Sequence, residues 1–297
     1  MSGISLVSEI QRNLSSSFYQ LSLDARQMTY WRGEKLTNKE AALAIDKGPP
    51  RKLSLEQEFL LSLMKMRLGL LTEDLAWRFD ISAGLTSQIF FIWVRLISLD
   101  LEFMIKWPSR VVVRKNLPEI FRKHFPKCVC IIDCTEVFIE TPSLNIQAAM
   151  WSEYKHHCTV KLLIGITPNG AISYLSESYG GRCSDRYIVQ DSGFLDKLRP
   201  GDQLMTDKGF NISDLLAYRQ CSLSMPPFAK NGVQMSEKHI KKTSRVANAR
   251  IYVENAIGRI KQFRILKMEI PVTFIPIIDD ILACCCILKN LSEPLLI

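Results

Sequence analysis

Three carboxylates in this sequence stand where acidic side chains could do metal chemistry. Asp133 follows an unbroken apolar run that begins at Cys128, and Asp207 follows a second short apolar segment. Glu254 lies within a basic, helix-like segment. A buried carboxylate is costly unless it is paired or bound to a metal ion, so Asp133 either ends its strand at the surface or binds a cation. The three side chains are candidates to converge on a divalent metal site.

Such a site suits phosphodiester cleavage. Carboxylate oxygens are the ligands that Mg²⁺ and Mn²⁺ prefer, and two ions about 3.5–4 Å apart activate the nucleophile and stabilise the leaving oxygen. Glu136 is close in sequence to Asp133, but side chains alternate along a strand, so we interpret Glu136 as structural or supporting. We expect Asp185 to cap the helix that follows it. Because acidic residues are common, spacing alone leaves ordinary surface acids as an alternative.

The elements that must position these carboxylates are strands and helices in alternation. Apolar runs predict strands at 129–134, 159–167, 171–177, 204–207 and 222–225, with a hairpin turn at 168–170. Residues 185–198 and 236–264 are predicted as helices, the second with one apolar stripe that has Glu254 at its margin. The sequence therefore predicts an α/β domain over residues 106–297.

The preceding residues have a different pattern. Three helical segments with tight joints over residues 53–105 fit either a helix-turn-helix or a plain three-helix packing unit. Residues 1–52 are polar and weakly patterned, and we assign them as a leader and linker. The predicted domains are thus 1–52, 53–105 and 106–297.

Charge favours a polyanionic partner. The formal net charge is +8 and the pI is about 9.0, and residues 228–267 alone contain ten Lys or Arg against two Glu. Either these residues contact nucleic acid or they form a solvated face. The candidates for contact with DNA phosphates are Lys155, His157, Arg250 and Lys261.

Cysteine usage and hydropathy point to a reduced compartment. The nine cysteines show no paired Cys-x-x-Cys spacing, so we expect mostly buried, reduced thiols in an intracellular protein with no secretory leader. The apolar tract 270–297 is interrupted by Asp279, Asp280 and Lys289, and we expect it not to span a membrane.

These motifs also resemble a known family. The order Ile131-Ile-Asp133-Cys-Thr-Glu136, Tyr154-Lys155, Leu163-Ile-Gly165-Ile, Gly181-Arg-x-x-Asp185, Asp207-Lys-Gly209-Phe and Val253-Glu254-x-x-Ile-Gly-Arg-Ile-Lys261 resembles the Harbinger-type DDE transposases and their host-derived relatives. The resemblance implies an RNase H-like mixed sheet flanked by helices, preceded by a small all-α helix-turn-helix domain. It places Asp133, Asp207 and Glu254 at the three catalytic positions, with two Mg²⁺ or Mn²⁺ ions as cofactors and DNA as substrate in the nucleus.

The resulting functional hypothesis is a divalent-metal-dependent DNA endonuclease. The alternative is a transposase-derived, catalytically silent DNA-binding or scaffold protein, because a fold can outlive its activity. Relatives carry a Ser-Thr-Val-Ser-Arg segment where this chain has Gly84-Leu-Thr-Ser-Gln88. A separate DNA-binding protein that supplies sequence specificity is therefore a candidate partner, as is a second copy of the chain.

Overall fold

The computed structural model describes Leu21, Asp24, Ala25 and residues 51–207, 210–225 and 254–292. Within them, one unit extends to Phe103 and resumes at Ile260–Ser292, and a second unit spans Met104–Arg259. The sequence-based division at residue 105 lies close to the first boundary, but residues 260–292 group with the helical unit rather than with the sheet. The predicted leader, 1–52, lies almost wholly outside the described residues.

Three helices open the first unit: α1 (Leu55–Leu68), α2 (Thr72–Arg78) and α3 (Ala83–Asp100). Their ends follow from local sequence. Ser54 and Gln57 form a reciprocal capping box at the start of α1, Gly69 ends it in the left-handed region, and Ser82 caps α3. The axes of α2 and α3 differ by 102°, which is within the range of about 90–120° for a helix-turn-helix.

A buried carboxylate joins α1 to α3. Glu58 is fully buried, and it accepts a hydrogen bond of 2.9 Å from the indole nitrogen of Trp93. The same carboxylate lies 2.5 Å from the guanidinium of Arg51. Burial of this charge is tolerated because donors satisfy it, so the pair of bonds fixes how the two helices pack.

The C-terminal residues complete the helical unit. Short 3₁₀ helices at Arg264–Leu266 and Val272–Ile277 precede α9 (Ile278–Leu291), which packs against α3. Arg95 donates to both oxygens of Asp280 at 2.8 and 2.9 Å, and the Ser98 hydroxyl donates to the same carboxylate at 2.6 Å. This network of α3 with α9 explains why residues 260–292 belong to the helical unit.

The second unit contains one mixed sheet, which has seven strands in the described part of the chain. The strands are β1 (Cys128–Phe138), β2 (Trp151–Ser152), β3 (His157–Ile166), β4 (Ile172–Leu175), β5 (Tyr179–Gly180), β6 (Gln203–Met205) and β7 (Ser222–Ser224). Their order is β2-β3-β1-β6-β7, with β4 and β5 also paired to β3. Strand β1 runs antiparallel to β3 and parallel to β6, and β6 runs parallel to β7. Strand β1 is therefore central.

Helices flank this sheet. They are α4 (Arg110–Lys115), α5 (Glu119–His124), α6 (Leu144–Met150), α7 (Asp185–Asp191) and α8 (Ser213–Tyr218), with a 3₁₀ turn at Phe194–Lys197 and a helical stretch at 254–260. A 3₁₀ turn at Glu102–Met104 lies where the chain passes from the first unit to the second. The core on one sheet face joins Cys130 and Ile132 of β1 to Ile188, Phe194 and Leu216 of the helices. The predicted fold class, a mixed sheet flanked by helices with helices before it, is confirmed.

Three boundaries differ from prediction. Strand β1 continues past Asp133 to Phe138, so this aspartate lies inside the strand and does not end it. The helix predicted at 185–198 stops at Asp191, because Gly193 adopts a left-handed conformation and a 3₁₀ turn follows. The helix around Glu254 stops at residue 260 and not near 264; its predicted beginning lies outside the described residues.

Two further features are the length and apolar character of the helices and the burial of the cysteines. Among the described helices, none alone has the length and apolar character to cross a membrane, although α2 and α3 taken together pass that test across their bend. All nine cysteines are free, and six of them are buried. Burial raises the pKa of the Cys128 and Cys286 thiols to about 12, which leaves them protonated at neutral pH.

Candidate active site

The strand pairing predicts where the two candidate aspartates lie, because the β1–β6 ladder ends two residues before both of them. In the parallel ladder between β1 and β6, Ile131 is matched with Met205. The same register, carried two residues further along both strands, puts Asp207 beside Asp133. Neighbouring strands lie about 4.8 Å apart, and residues matched in this way present their side chains to the same face. Both aspartates are partly buried, and their adjacency stays a prediction from the register.

Chain direction after β6 supports this placement. The Thr206 N–H still bonds to the Ser224 carbonyl at 3.2 Å, so the strand direction persists up to Asp207. The Asp207 carbonyl then accepts a bond from the Phe210 N–H at 3.2 Å, which turns the chain away from the sheet. Asp207 therefore stands at the point where the chain leaves β6.

The structure does not bring Glu254 into a three-ligand site. Among residues 51–207, 210–225 and 254–292, no group of three or more His, Cys, Asp or Glu side chains is arranged to hold a metal ion. Glu254 is exposed at the first described position of its helix. Two adjacent carboxylates have the donor chemistry that suits a divalent cation. The convergence of Glu254 on them stays a prediction.

The opposite face of β1 has a different arrangement of charge. Glu136 is matched with Lys161 across the β1–β3 ladder, and their side-chain charges lie 3.5 Å apart. The Thr159 hydroxyl donates to Glu136 at 2.9 Å, and Lys161 also pairs with Asp185 at 3.2 Å. Glu136 is thus engaged in a structural network, in agreement with the interpretation that it supports the site and does not belong to the acidic pair.

This network also corrects the role expected for Asp185. Ser184, and not Asp185, caps α7, because its hydroxyl accepts a bond from the Tyr187 N–H at 3.2 Å. Asp185 stands in the first helical turn and reaches back to Lys161. Burial alone would lower the pKa of the Lys161 ammonium, but the carboxylates of Asp185 and Glu136 outweigh burial and raise the pKa above its usual value.

Two of the predicted DNA contacts flank a single hairpin. Lys155 lies in the exposed β2–β3 turn, and its ammonium stands 4.5 Å from the centre of the Tyr154 ring. His157 begins β3, where its partly buried ring packs edge-on against Phe138 at 5.2 Å. The Ser152 hydroxyl and carbonyl accept bonds from the amides of residues 155 and 156 and hold the turn. A cation and an imidazole are thus fixed at one end of the sheet.

The structure describes one of the other two predicted contacts, Lys261. Arg250 lies outside the described residues. Lys261 is exposed but directly follows the described helical stretch 254–260, and it was expected on the helix itself. The two therefore cannot be assigned to one helical face with Glu254.

Sequence reasoning missed Lys161 as the partner of both Glu136 and Asp185. The available signal was a lysine inside an otherwise apolar run at 158–166. A buried cation of that kind needs a carboxylate nearby. Which carboxylates it contacts depended on strand register and on the position of α7.

Comparisons with known proteins agree with this architecture. Residues 51–103 match the family described as helix-turn-helix of DDE superfamily endonuclease. Residues 132–290, more than half of the chain, match the family described as DDE superfamily endonuclease. No curated protein and no solved structure matches the chain significantly. The second match contains Asp133, Asp207 and Glu254, and the first contains α1 to α3. The chain therefore belongs to the DDE superfamily endonucleases, with the helix-turn-helix domain of that superfamily before the endonuclease domain.

Proposed function

We propose that this protein is a divalent-metal-dependent DNA endonuclease of the Harbinger type. The observation that supports the proposal is the parallel register of β1 and β6: extended two residues beyond the last pair, Ile131 with Met205, it predicts matched positions for Asp133 and Asp207 within the segment matched to the endonuclease family. Carboxylate oxygens on two neighbouring strands have the donor chemistry to hold a divalent cation.

In the proposed site, Asp133, Asp207 and Glu254 supply oxygen ligands. Bound there, two Mg²⁺ or Mn²⁺ ions supply Lewis-acid chemistry for phosphodiester cleavage. The chain itself contributes rigidity: Asp133 is fixed inside a central strand, and the Glu136–Lys161 pair on the other face ties that strand to β3. Rigid elements hold ligands more precisely than loops do.

The proposed substrate is DNA, held through its backbone. Lys155, His157, Arg250 and Lys261 are the proposed phosphate contacts, which carry affinity but no sequence information. Helix α3 has no basic residue in its first turn, so we also propose that a separate DNA-binding protein supplies sequence specificity. Association into a homo-oligomer and a nuclear location complete the proposal.

A plasmid-nicking assay on the full chain tests the proposal. We expect nicking of supercoiled DNA that requires Mn²⁺ or Mg²⁺ and that Asp207→Asn abolishes. Asp196→Asn is the matched control, because Asp196 is an exposed carboxylate paired with Arg219 on the surface, and it should nick like the parent. A parent that binds plasmid but never nicks it with either ion would instead support the catalytically silent alternative.

A further inference from the structure

A second basic region lies far from the acidic pair. Residues 106–127 contain seven Lys or Arg and one Glu, a bias comparable to that of residues 228–267. In the structure this segment forms α4, α5 and the approach to β1. Part of it lines a cleft of about 360 Å³ at the amino ends of β1 and β6.

The cleft is strongly positive. Its charged lining residues are Arg110, Arg114, Lys127, Arg199 and Asp202. Four cations thus face one carboxylate. Concave surfaces with charges of one sign focus the electric field and concentrate counter-ions, so the lining favours an anionic ligand.

The single carboxylate is already engaged within the protein. Arg110 bonds through Nη2 to one oxygen of Asp202 and through Nε to the other at 3.2 Å. Asp202 also accepts a bond of 2.8 Å from the backbone N–H of Arg199, and its side chain is 7% exposed. Arg110 and Asp202 therefore neutralise each other and fix the wall of the cleft.

Three cations of the lining remain. Arg114, Lys127 and Arg199 are exposed, and their side chains make no ion pair or hydrogen bond with other described residues. The backbone carbonyl of Lys127 accepts a bond of 3.0 Å from the Gln203 N–H, so this residue is fixed where the two parallel strands begin. Arginine forks match phosphate oxygens in geometry and charge. The cleft thus has the charge and the donors of a phosphate site.

The cleft is too far from the acidic pair to hold the cleaved phosphate. Cys128, at the cleft, and Asp133 are five residues apart on β1, which corresponds to about 17 Å at 3.3 Å per residue. A DNA strand covers the same distance in about five nucleotides, at 3.4 Å each. A phosphate bound in the cleft therefore belongs to DNA that flanks the cleaved bond.

We propose that the cleft formed by Arg114, Lys127 and Arg199 binds a backbone phosphate of DNA about 17 Å from the acidic pair. This assignment rests on the proposed function in taking DNA as the ligand. It adds a contact region at the amino ends of β1 and β6, whereas Lys155 and His157 lie at the β2–β3 turn.

The test measures duplex affinity of the full chain in EDTA, so that cleavage does not enter. In the triple variant Arg114→Gln/Lys127→Gln/Arg199→Gln we expect the Kd for an unrelated duplex of about 30 base pairs to rise about ten- to hundredfold. The slope of log K against log salt should flatten by about 0.9 units, as expected for one phosphate that the variant no longer neutralises. The matched control is Lys106→Gln/Lys115→Gln/Lys123→Gln, which removes the same charge from exposed lysines outside the cleft lining.

Each outcome decides the assignment. A large effect of the cleft variant with a small effect of the control supports it, and equal effects of the two overturn it in favour of a general electrostatic field. If inorganic phosphate stabilises the parent but not the cleft variant while DNA affinity is unchanged, the cleft is a small-anion site and the DNA assignment fails. Because binding is measured without metal, the duplex affinities test the cleft even if the parent never nicks DNA.

Discussion

The two faces of strand β1 place carboxylates in different surroundings. On one face Glu136 meets Lys161 and the Thr159 hydroxyl, so the charge is neutralised by the protein itself. On the other face, the register of β1 and β6, extended two residues past its last pair, predicts Asp133 beside Asp207. The first arrangement stabilises the sheet in any solution. The second is the candidate cation site, and this difference separates a structural network from a candidate site within one strand.

The largest expected effect is on cleavage. Asp133→Asn should lower the nicking rate by about 10²- to 10³-fold or more, as expected when a preorganised electrostatic group is removed from a reaction centre. Glu136→Gln keeps the shape of the network on the other face and should stay within about threefold of the parent at a temperature where both are folded. Comparable losses of nicking rate in the two variants would show that the two faces of β1 do not differ in function.

The second effect is stabilisation by metal. At Mn²⁺ concentrations about 100 times the Kd, binding to the folded state alone adds about 2.7 kcal/mol, which calorimetry should record as a higher Tm. Asp207→Asn should remove that increment, whereas Lys161→Met should keep it. An increment of equal size in the Asp207 variant would place the ion elsewhere.

The third effect is on stability, at the face of β1 where Lys161 pairs with Glu136. Lys161→Met leaves Glu136 nearly buried without its cation, and we expect a loss of about 2 kcal/mol, less than for a fully buried pair because Asp185 is about half exposed. Denaturant unfolding measures this loss. Arg186→Met, which removes an exposed partner of Asp214, is the control and should change stability little.

This third effect has a pH dependence of defined sign. The pKa of Lys161 is raised above 10.5 in the folded protein. The stability that the Lys161 ammonium contributes is therefore complete below pH 10.5, and it disappears as the pH rises through the folded-state pKa. The stability difference between parent and Lys161→Met should be constant from about pH 6 to 9 and shrink at higher pH.

The smallest expected effect is an increase in the free energy of unfolding. In EDTA, Asp133→Asn relieves the repulsion with Asp207 and should raise the free energy of unfolding by about 0.5–1 kcal/mol. Glu136→Gln should lower it, because a charge-assisted bond is removed. Denaturant curves of the two variants, measured side by side without metal, should fall on opposite sides of the parent curve. If both variants are less stable than the parent, other groups of the protein stabilise the Asp133 and Asp207 carboxylates.

The sequence by itself determined the local elements. Apolar runs located the five predicted strands to within a few residues, and Ser54, Gly69 and Ser82 marked helix ends, because caps and strand periodicity depend on neighbours in sequence. The three candidate carboxylates were also recognised from their position after apolar runs and within a basic segment. The short strands β2 and β5 escaped prediction, since two residues give no measurable period.

Tertiary structure alone decided which of these residues meet. The pairing of β1 with β6 brings two segments that are far apart in the chain to neighbouring positions, and a shift of one residue in register would turn either Asp133 or Asp207 to the other face. Packing of α9 on α3 likewise assigned residues 260–292 to the helical unit. The basic cleft forms where α4, the start of β1 and the turn before β6 come together. Such contacts depend on long-range packing, which no local pattern of residues specifies.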